Sequence, residues 1–457
     1  RDLHSFPTRR SSDLEGRDAT NELTWLCLDL QEKYQREAPN LTVRFFSGSP
    51  PRLMQRCVEV IATGCGLPAL YNDEVMVPAL CDLGIPLEDA RNYAMNGCNQ
   101  VDIQGLSHMG LEDGELNLAK CLELALHGGL SPITGRQAGA KTLPAEEIHD
   151  FDTLKAQVWA QIRHATALLT RKANVFQQAI AESAPHLFRS LFLGQCVERG
   201  LDMKRGGCLY NHGQFLTEGI ANTGDSLYTI KRLVFEEGRY SLPELVALLD
   251  ADWEGHAELL AEVTERFPKY GNDVQEVDAL AAEAVECFFR ALNTHQTWRG
   301  GTYSGGLSVF VRAPEYGRDL AAGADGRRKG QLVADSCGPS AGRDRTGPTA
   351  MLLSAARLPH RLATSGFCLN MKFSPTVFSG DRDAGVAKVG ELFGTYFRLG
   401  GQQLMVNVVD VATLRAAQAD PDSYRNLVVR VGGFCARFVT LDPALQEDII
   451  ARTTHTT

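Results

Sequence analysis

The stretch Val428-Val429-Arg430-Val431-Gly432-Gly433-Phe434-Cys435-Ala436-Arg437-Phe438-Val439 contains two β-like runs, Leu427 to Val431 and Phe434 to Val439, joined by a glycine pair. Val and Phe suit a pleated, half-buried surface, so each run predicts a short strand. Gly432-Gly433 reads first as a two-residue hairpin turn, because glycine supplies the positive φ that such turns require. A glycine turn carries no chemistry alone, so its meaning depends on the rest of the chain.

Outward from that hairpin, short apolar runs alternate with longer amphipathic segments, the pattern of an α/β architecture. Val43 to Phe46, Gly306 to Val311 and Gln403 to Val409 predict further strands. Phe151 to Ala184, Leu242 to Val263 and Glu276 to Asn293 carry apolar residues at helical spacing. Gly300 to Gly347, with its glycine pairs and Gly338-Pro339, reads mostly as turns and ordered loop. It also lacks the Gly-Lys-Ser/Thr ending of a phosphate loop.

Composition narrows the function classes. The chain has 457 residues and a net charge of -10, so it has no broad basic surface for nucleic acid or anionic membrane. No apolar run approaches the roughly 20 residues of a bilayer-spanning helix. The twelve cysteines include no Cys-x-x-Cys pair; they read as reduced thiols in a cytoplasmic protein, with no metal site indicated. Arg1 to Leu14 (RDLHSFPTRRSSDL) is Arg/Ser-rich and aperiodic, and reads as a cloning scar or translated sequencing adapter, with the natural protein cut on its N-terminal side.

One cysteine lies in a distinctive setting, Asp89-Ala90-Arg91-Asn92-Tyr93-Ala94-Met95-Asn96-Gly97-Cys98-Asn99-Gln100. A lone cysteine in a Gly-flanked turn is ordinarily structural. His108 follows ten residues later, which raises a Cys-His nucleophile reading, although sequence spacing does not establish geometry.

Together, however, the two stretches resemble the glycyl radical enzymes, the family of pyruvate formate-lyase. The C-terminal stretch is similar to the family motif Arg-Val-(Ser/Ala)-Gly-(Tyr/Phe), with Gly432 in place of Ser or Ala. The Cys98 stretch is similar to its Gly-Cys-x-Glu loop. Connecting segments share the likeness, among them Leu67 to Val75, Glu198 to Asn211, Asp225 to Lys231, Lys269 to Asp273 and Asn407 to Val409. The resemblance implies part of a ten-stranded α/β barrel whose cysteine and glycine loops meet inside it. Its implied divisions are 1–14 as scar, 15–330 as the barrel portion carrying the cysteine loop, and 331–457 as a glycine radical domain.

The resemblance also implies a chemistry. Gly433 stores a backbone radical and Cys98, as a thiyl, takes hydrogen from a small organic substrate. No cofactor is bound permanently; a separate S-adenosylmethionine-dependent iron–sulfur activating enzyme installs the radical, for which the C-terminal loop must swing out. A homodimer is the family analogy. Two departures limit the substrate. Pyruvate formate-lyase has adjacent cysteines, whereas Cys98 is flanked by Gly97 and Asn99. The glutamate two residues after the cysteine is Gln100 here, and an amide can orient a substrate but not exchange a proton. Asp102, Glu112, Asp113 and Glu115 are the nearby carboxylates in sequence. The main expectation is a lyase. The alternatives are a formate acetyltransferase-like enzyme, radical addition to fumarate, and an inactive truncated fragment; a class III ribonucleotide reductase ranks below these for want of zinc-binding cysteine pairs near the tail.

Overall fold

The computed structural model describes residues 16–96, 100–109, 113–307 and 312–456. Eleven strands lie among them: β1 Thr42–Phe45, β2 Ala69–Asn72, β3 Tyr93–Asn96, β4 Gln100–Ile103, β5 Gly114–Asn117, β6 Gly213–Glu218, β7 Tyr303–Leu307, β8 Cys368–Phe373, β9 Gln403–Val408, β10 Val428–Arg430 and β11 Cys435–Arg437. One sheet has the order β1-β2-β9-β8, with β2 and β9 antiparallel and the two outer pairs parallel. The other, β5-β6-β7, is wholly parallel. The architecture is mixed α/β, and among the described residues these two larger sheets are separate rather than joined in a closed barrel.

Helices cover these sheets because parallel strands need long crossovers. Pro51–Ile61 links β1 to β2, and Arg382–Arg398 links β8 to β9. Strands β2, β6, β7, β8 and β9 are buried along their whole length, as expected of strands covered on both faces. The long helix Phe151–Ser183 starts at Asp150, whose carboxylate accepts from Thr153 N. It buries Leu154, Val158 and Ile162 against neighbouring helices in the main core.

One expectation changes. The Leu242 to Val263 helix is two helices, Leu242–Asp250 and Ala257–Glu265. Asp252, Trp253 and Gly255 between them take left-handed φ of 51°, 62° and 76°, and the Trp253 side chain turns into the core at 1% exposure. Burial of one indole outweighs continued helical periodicity. Among its described residues the Gly300 to Gly347 segment is mostly turns and ordered loop, as expected, around β7 and the short helix Ala313–Arg318. Among the described residues no helix is long and apolar enough to cross a membrane.

Candidate active site

The β3–β4 hairpin is antiparallel, with Asn96 opposite Gln100. Cys98 lies between these two positions, outside the described residues. What can be followed is how the hairpin is anchored. Arg44 on β1 donates from Nε and Nη2 to the two carboxylate oxygens of Asp73, each at 2.8 Å. Its Nη1 donates to the carbonyls of Arg91 at 3.0 Å and Tyr93 at 2.9 Å, and its guanidinium lies 3.8 Å from the Tyr93 ring centroid. The Tyr93 hydroxyl returns to Asp73 at 2.7 Å. Arg44 is fully buried, so this bidentate pair is a desolvated one whose geometry is fixed by its own hydrogen bonds. Burial, then the Asp73 charge, pushes the Tyr93 phenol well above its ordinary pKa. Asp89 accepts from the Tyr210 hydroxyl at 2.5 Å. The segment Asp89 to Tyr93 is thus the mount of the cysteine hairpin.

At the C-terminal ribbon, β10 pairs with β11 through Val428↔Arg437 and Arg430↔Cys435, and Val431 N donates to Phe434 O at 3.0 Å. Gly432 and Gly433 occupy the tip, as the hairpin reading expects, but neither takes the positive φ expected of such a turn, and the tip is buried rather than solvent-facing. Arg430 accounts for this. Its fully buried guanidinium donates from Nε to Gly432 O at 2.7 Å and from Nη2 to Gly433 O at 2.8 Å. Asn40 Nδ2 adds a second donor to Gly433 O at 3.3 Å, and its Oδ1 accepts from Arg430 Nη1 at 3.0 Å. Asn407 on β9 holds the backbone of Arg430 from both sides, accepting from its N–H and donating to its carbonyl at 2.6 Å each. Cys435 packs against Gly66, where an added Cβ would sit 3.1 Å from Cys435 Sγ and 3.2 Å from Arg430 Cβ.

Strand β9 ties ribbon and hairpin together. Met405 Sδ lies 3.1 Å from Arg430 Nη2, and Met405 shares an apolar cluster with Met95, Val101 and Ile103, the residues on both sides of the Cys98 turn. Gln100, the position of the missing glutamate, is 8% exposed on β4.

The carboxylates proposed from sequence are largely committed elsewhere. Asp113 accepts from Gln177 Nε2 at 2.6 Å and from Gln214 N at 2.9 Å. Asp102 is held by the Ser107 hydroxyl, and Glu115 pairs with Arg312 at 3.2 Å. Glu112 lies outside the described residues. His108 is buried and its pKa is pushed down to about 2 by desolvation, then by Arg299 and Lys204. It is a neutral imidazole in cationic surroundings, which does not favour the Cys-His nucleophile. No group of three or more His, Cys, Asp or Glu side chains that could hold a metal ion occurs among the described residues.

Asn40, Arg44, Asp73 and Met405 carry this arrangement and were not singled out as site residues in the sequence. Asp73 and Asn407 fall within stretches noted for resemblance; Asn40 is 390 positions from its partner Arg430, and no local pattern marks it.

Comparison with known proteins agrees with this geometry. The family model described as "Pyruvate formate lyase-like" matches residues 12–314, and that described as "Glycine radical" matches residues 333–439. The chain belongs to the glycyl radical enzyme family. It is 34% identical to the (2S)-3-sulfopropanediol dehydratase of Klebsiella oxytoca, over 96% of this chain and 54% of that protein. It is 31% identical to the trans-4-hydroxy-L-proline dehydratase of Clostridioides difficile, over 97% of this chain and 56% of that protein. The glycerol-bound B12-independent glycerol dehydratase from Clostridium butyricum superposes with a TM-score of 0.94 at 35% identity, over 99% of this chain and 57% of that one. The chain therefore spans about half the length of the relatives it matches.

Proposed function

We propose that the whole protein is a cytoplasmic glycyl radical lyase acting by elimination on a small hydroxylated substrate, with the radical stored at Gly433 and passed through Cys98. The observation that carries this reading is the buried Gly432-Gly433 tip, whose two carbonyls are held by one buried guanidinium. A hairpin turn without chemistry has no need of burial, whereas a carbon-centred radical needs exclusion of water and oxygen. The dehydratase names of several relatives favour loss of water as the reaction class.

The hydrogen bookkeeping is closed. The Gly433 radical takes hydrogen from the Cys98 thiol, leaving a thiyl. The thiyl takes hydrogen from a substrate C–H bond beside a hydroxyl. The substrate radical expels the neighbouring hydroxyl as water, using the proton released by the remaining hydroxyl as it becomes a carbonyl. The product radical then recovers hydrogen from Cys98, and the thiyl returns the radical to Gly433. Gln100 orients the substrate through its amide. The proton passes through a carboxylate; with Asp102, Asp113 and Glu115 committed, Glu112 is the member of that set assigned to it.

In this reading a separate S-adenosylmethionine-dependent iron–sulfur enzyme generates the radical, and the protein is a homodimer. The division between the cysteine-bearing portion, 15–330, and the radical domain, 331–457, belongs to the same proposal, as does the assignment of 1–14 to a scar.

The test is the electron paramagnetic resonance spectrum of the anaerobically activated full-length natural protein. A doublet is expected in the wild type and absent in Gly433→Ala, with backbone cleavage at Gly433 on exposure to oxygen. Cys98→Ser should keep the doublet and lose turnover. No signal, with an activating enzyme shown to be competent on another target, would overturn the reading.

A further inference from the structure

The leading edge of the β5–β6–β7 sheet gathers cationic side chains that the radical chemistry does not use. Arg299 precedes β7, and its side chain is only 4% exposed. Its nearest carboxylate oxygen, on Asp113, is 3.8 Å away, and both oxygens of Asp113 already accept from Gln177 and Gln214. Its other contact is a 3.4 Å bond to the His212 carbonyl, and its Nε has no partner. The turn Met203–Arg205 brings Lys204 alongside: Gly206, which ends that turn, is so close to the Arg299 carbonyl that an added Cβ would lie 2.6 Å from it. The backbone N–H of Lys204 is satisfied by Asp202. His108 completes the group. Its backbone N–H donates to Tyr210 O at 2.8 Å, which places it beside the same 206–212 segment, and its buried Nε2 has no partner.

Burial lowers the pKa of both Arg299 and Lys204, and Arg299 and Arg189 add repulsion at Lys204; Asp113, with Asp202 at Lys204, compensates only in part. A buried guanidinium near a partly buried ammonium is unfavourable without enough anionic charge beside them, and Asp113 is the carboxylate that acts on both. Guanidinium, ammonium and imidazole are together the donors that oxyanions select.

We propose that Arg299, Lys204 and His108 form a binding site for a small oxyanion, of sulfate, phosphate or carboxylate type, at the N-terminal edge of the β5–β6–β7 sheet. A single tetrahedral or planar anion would use all three groups: Arg299 donates from its unpartnered Nε, Lys204 supplies a point charge, and the neutral His108 ring supplies a third donor in its Nε2–H tautomer. This site is independent of the radical assignment.

Calorimetric titration of the chain with sodium sulfate, sodium phosphate and sodium acetate, at ionic strength held constant with chloride, tests it. At least one of the three should bind with unit stoichiometry and raise the melting temperature above that of the chloride control. Lys204→Met should weaken binding at least tenfold, Arg299→Lys should weaken it less than Arg299→Met, and the charge-matched surface variant Arg425→Met should leave it unchanged. The His108 ring nitrogen resonances should move with occupancy. If Arg299→Met fails to fold, Lys204→Met and the His108 signal decide. Equal behaviour of all salts, or affinity unchanged in Lys204→Met with the His108 resonances unmoved, would overturn the proposal.

Discussion

The Arg430 guanidinium donates to the Gly433 carbonyl at 2.8 Å while its Nε binds the Gly432 carbonyl at 2.7 Å, so one side chain grips the peptide units on both sides of the Gly433 α-carbon. A glycyl radical spreads from its α-carbon onto the flanking nitrogen and carbonyl, and a cation hydrogen-bonded to that carbonyl stabilises the carbonyl-centred share. Arg430→Lys, which keeps the charge but loses the fork, should shift the hyperfine splitting of the doublet and shorten its lifetime. Arg430→Met should also leave two buried carbonyls short of a donor, costing about 2–5 kcal/mol in unfolding free energy. Spectra and denaturant melts of the two variants separate the electronic effect from the structural one.

Gly66 has a positive φ of 71°, and an added Cβ would meet Cys435 Sγ and Arg430 at 3.1–3.3 Å. Gly66→Ala should therefore destabilise by about 1–3 kcal/mol, through backbone strain and overpacking. Because the clash falls on the ribbon, amide exchange near Val431 to Cys435 should accelerate more than exchange in β6.

The Arg44–Asp73 pair mounts the cysteine hairpin. Asp73→Asn leaves a buried guanidinium without its counter-charge, with an expected loss of about 3–5 kcal/mol. Denaturant unfolding measures it.

Asp225 predicts a pH dependence. It is buried, accepts from Tyr270 N at 2.7 Å, and has its pKa raised to about 7, chiefly by desolvation and against the pull of Lys269. A carboxyl raised above its unfolded value contributes stability that is present in full below about pH 4 and lost as pH rises towards 7. Asp225→Asn should flatten the stability profile across that window relative to wild type, leaving the remaining slope to other groups. Urea melts at pH 4.5, 6 and 7.5 give the comparison.

Glu112→Gln should lower turnover by about 10²- to 10⁴-fold, the usual weight of a general acid–base group, while leaving the radical doublet intact. Asp113→Asn, which changes a structural acceptor, should instead lower the melting temperature. The contrast is read from kinetics and calorimetry on the activated full-length protein.

Much of this could be read from local pattern. Val43, Gln403 and Val428 each begin or lie within apolar runs that became β1, β9 and β10, and the Phe151 helix ends one residue before its expected limit. Polar strands were harder. The hairpin around Cys98 includes the buried Gln100, and β6 reads Gly-Gln-Phe-Leu-Thr-Glu; their burial comes from tertiary covering, not alternation. The site residues divide the same way. Gly433 and Cys98 sit in local motifs, whereas Asn40 matters through its bonds to Arg430 and Gly433, almost the whole chain length away.

The ribbon also has an apolar core of its own. Val429, Val431 and Phe438 pack with Leu414, Ile449 and Ile450 in a cluster separate from the main one, drawing in the helices Val411–Ala419 and Pro443–Ala451. Departure of the radical loop for activation would then be an undocking and not a melting. What would be surrendered is the set of polar contacts through Asn40, Asn407 and Met405 together with the packing of Val428 and Cys435 into the main core, while the cluster around Phe438 would travel as a folded cassette.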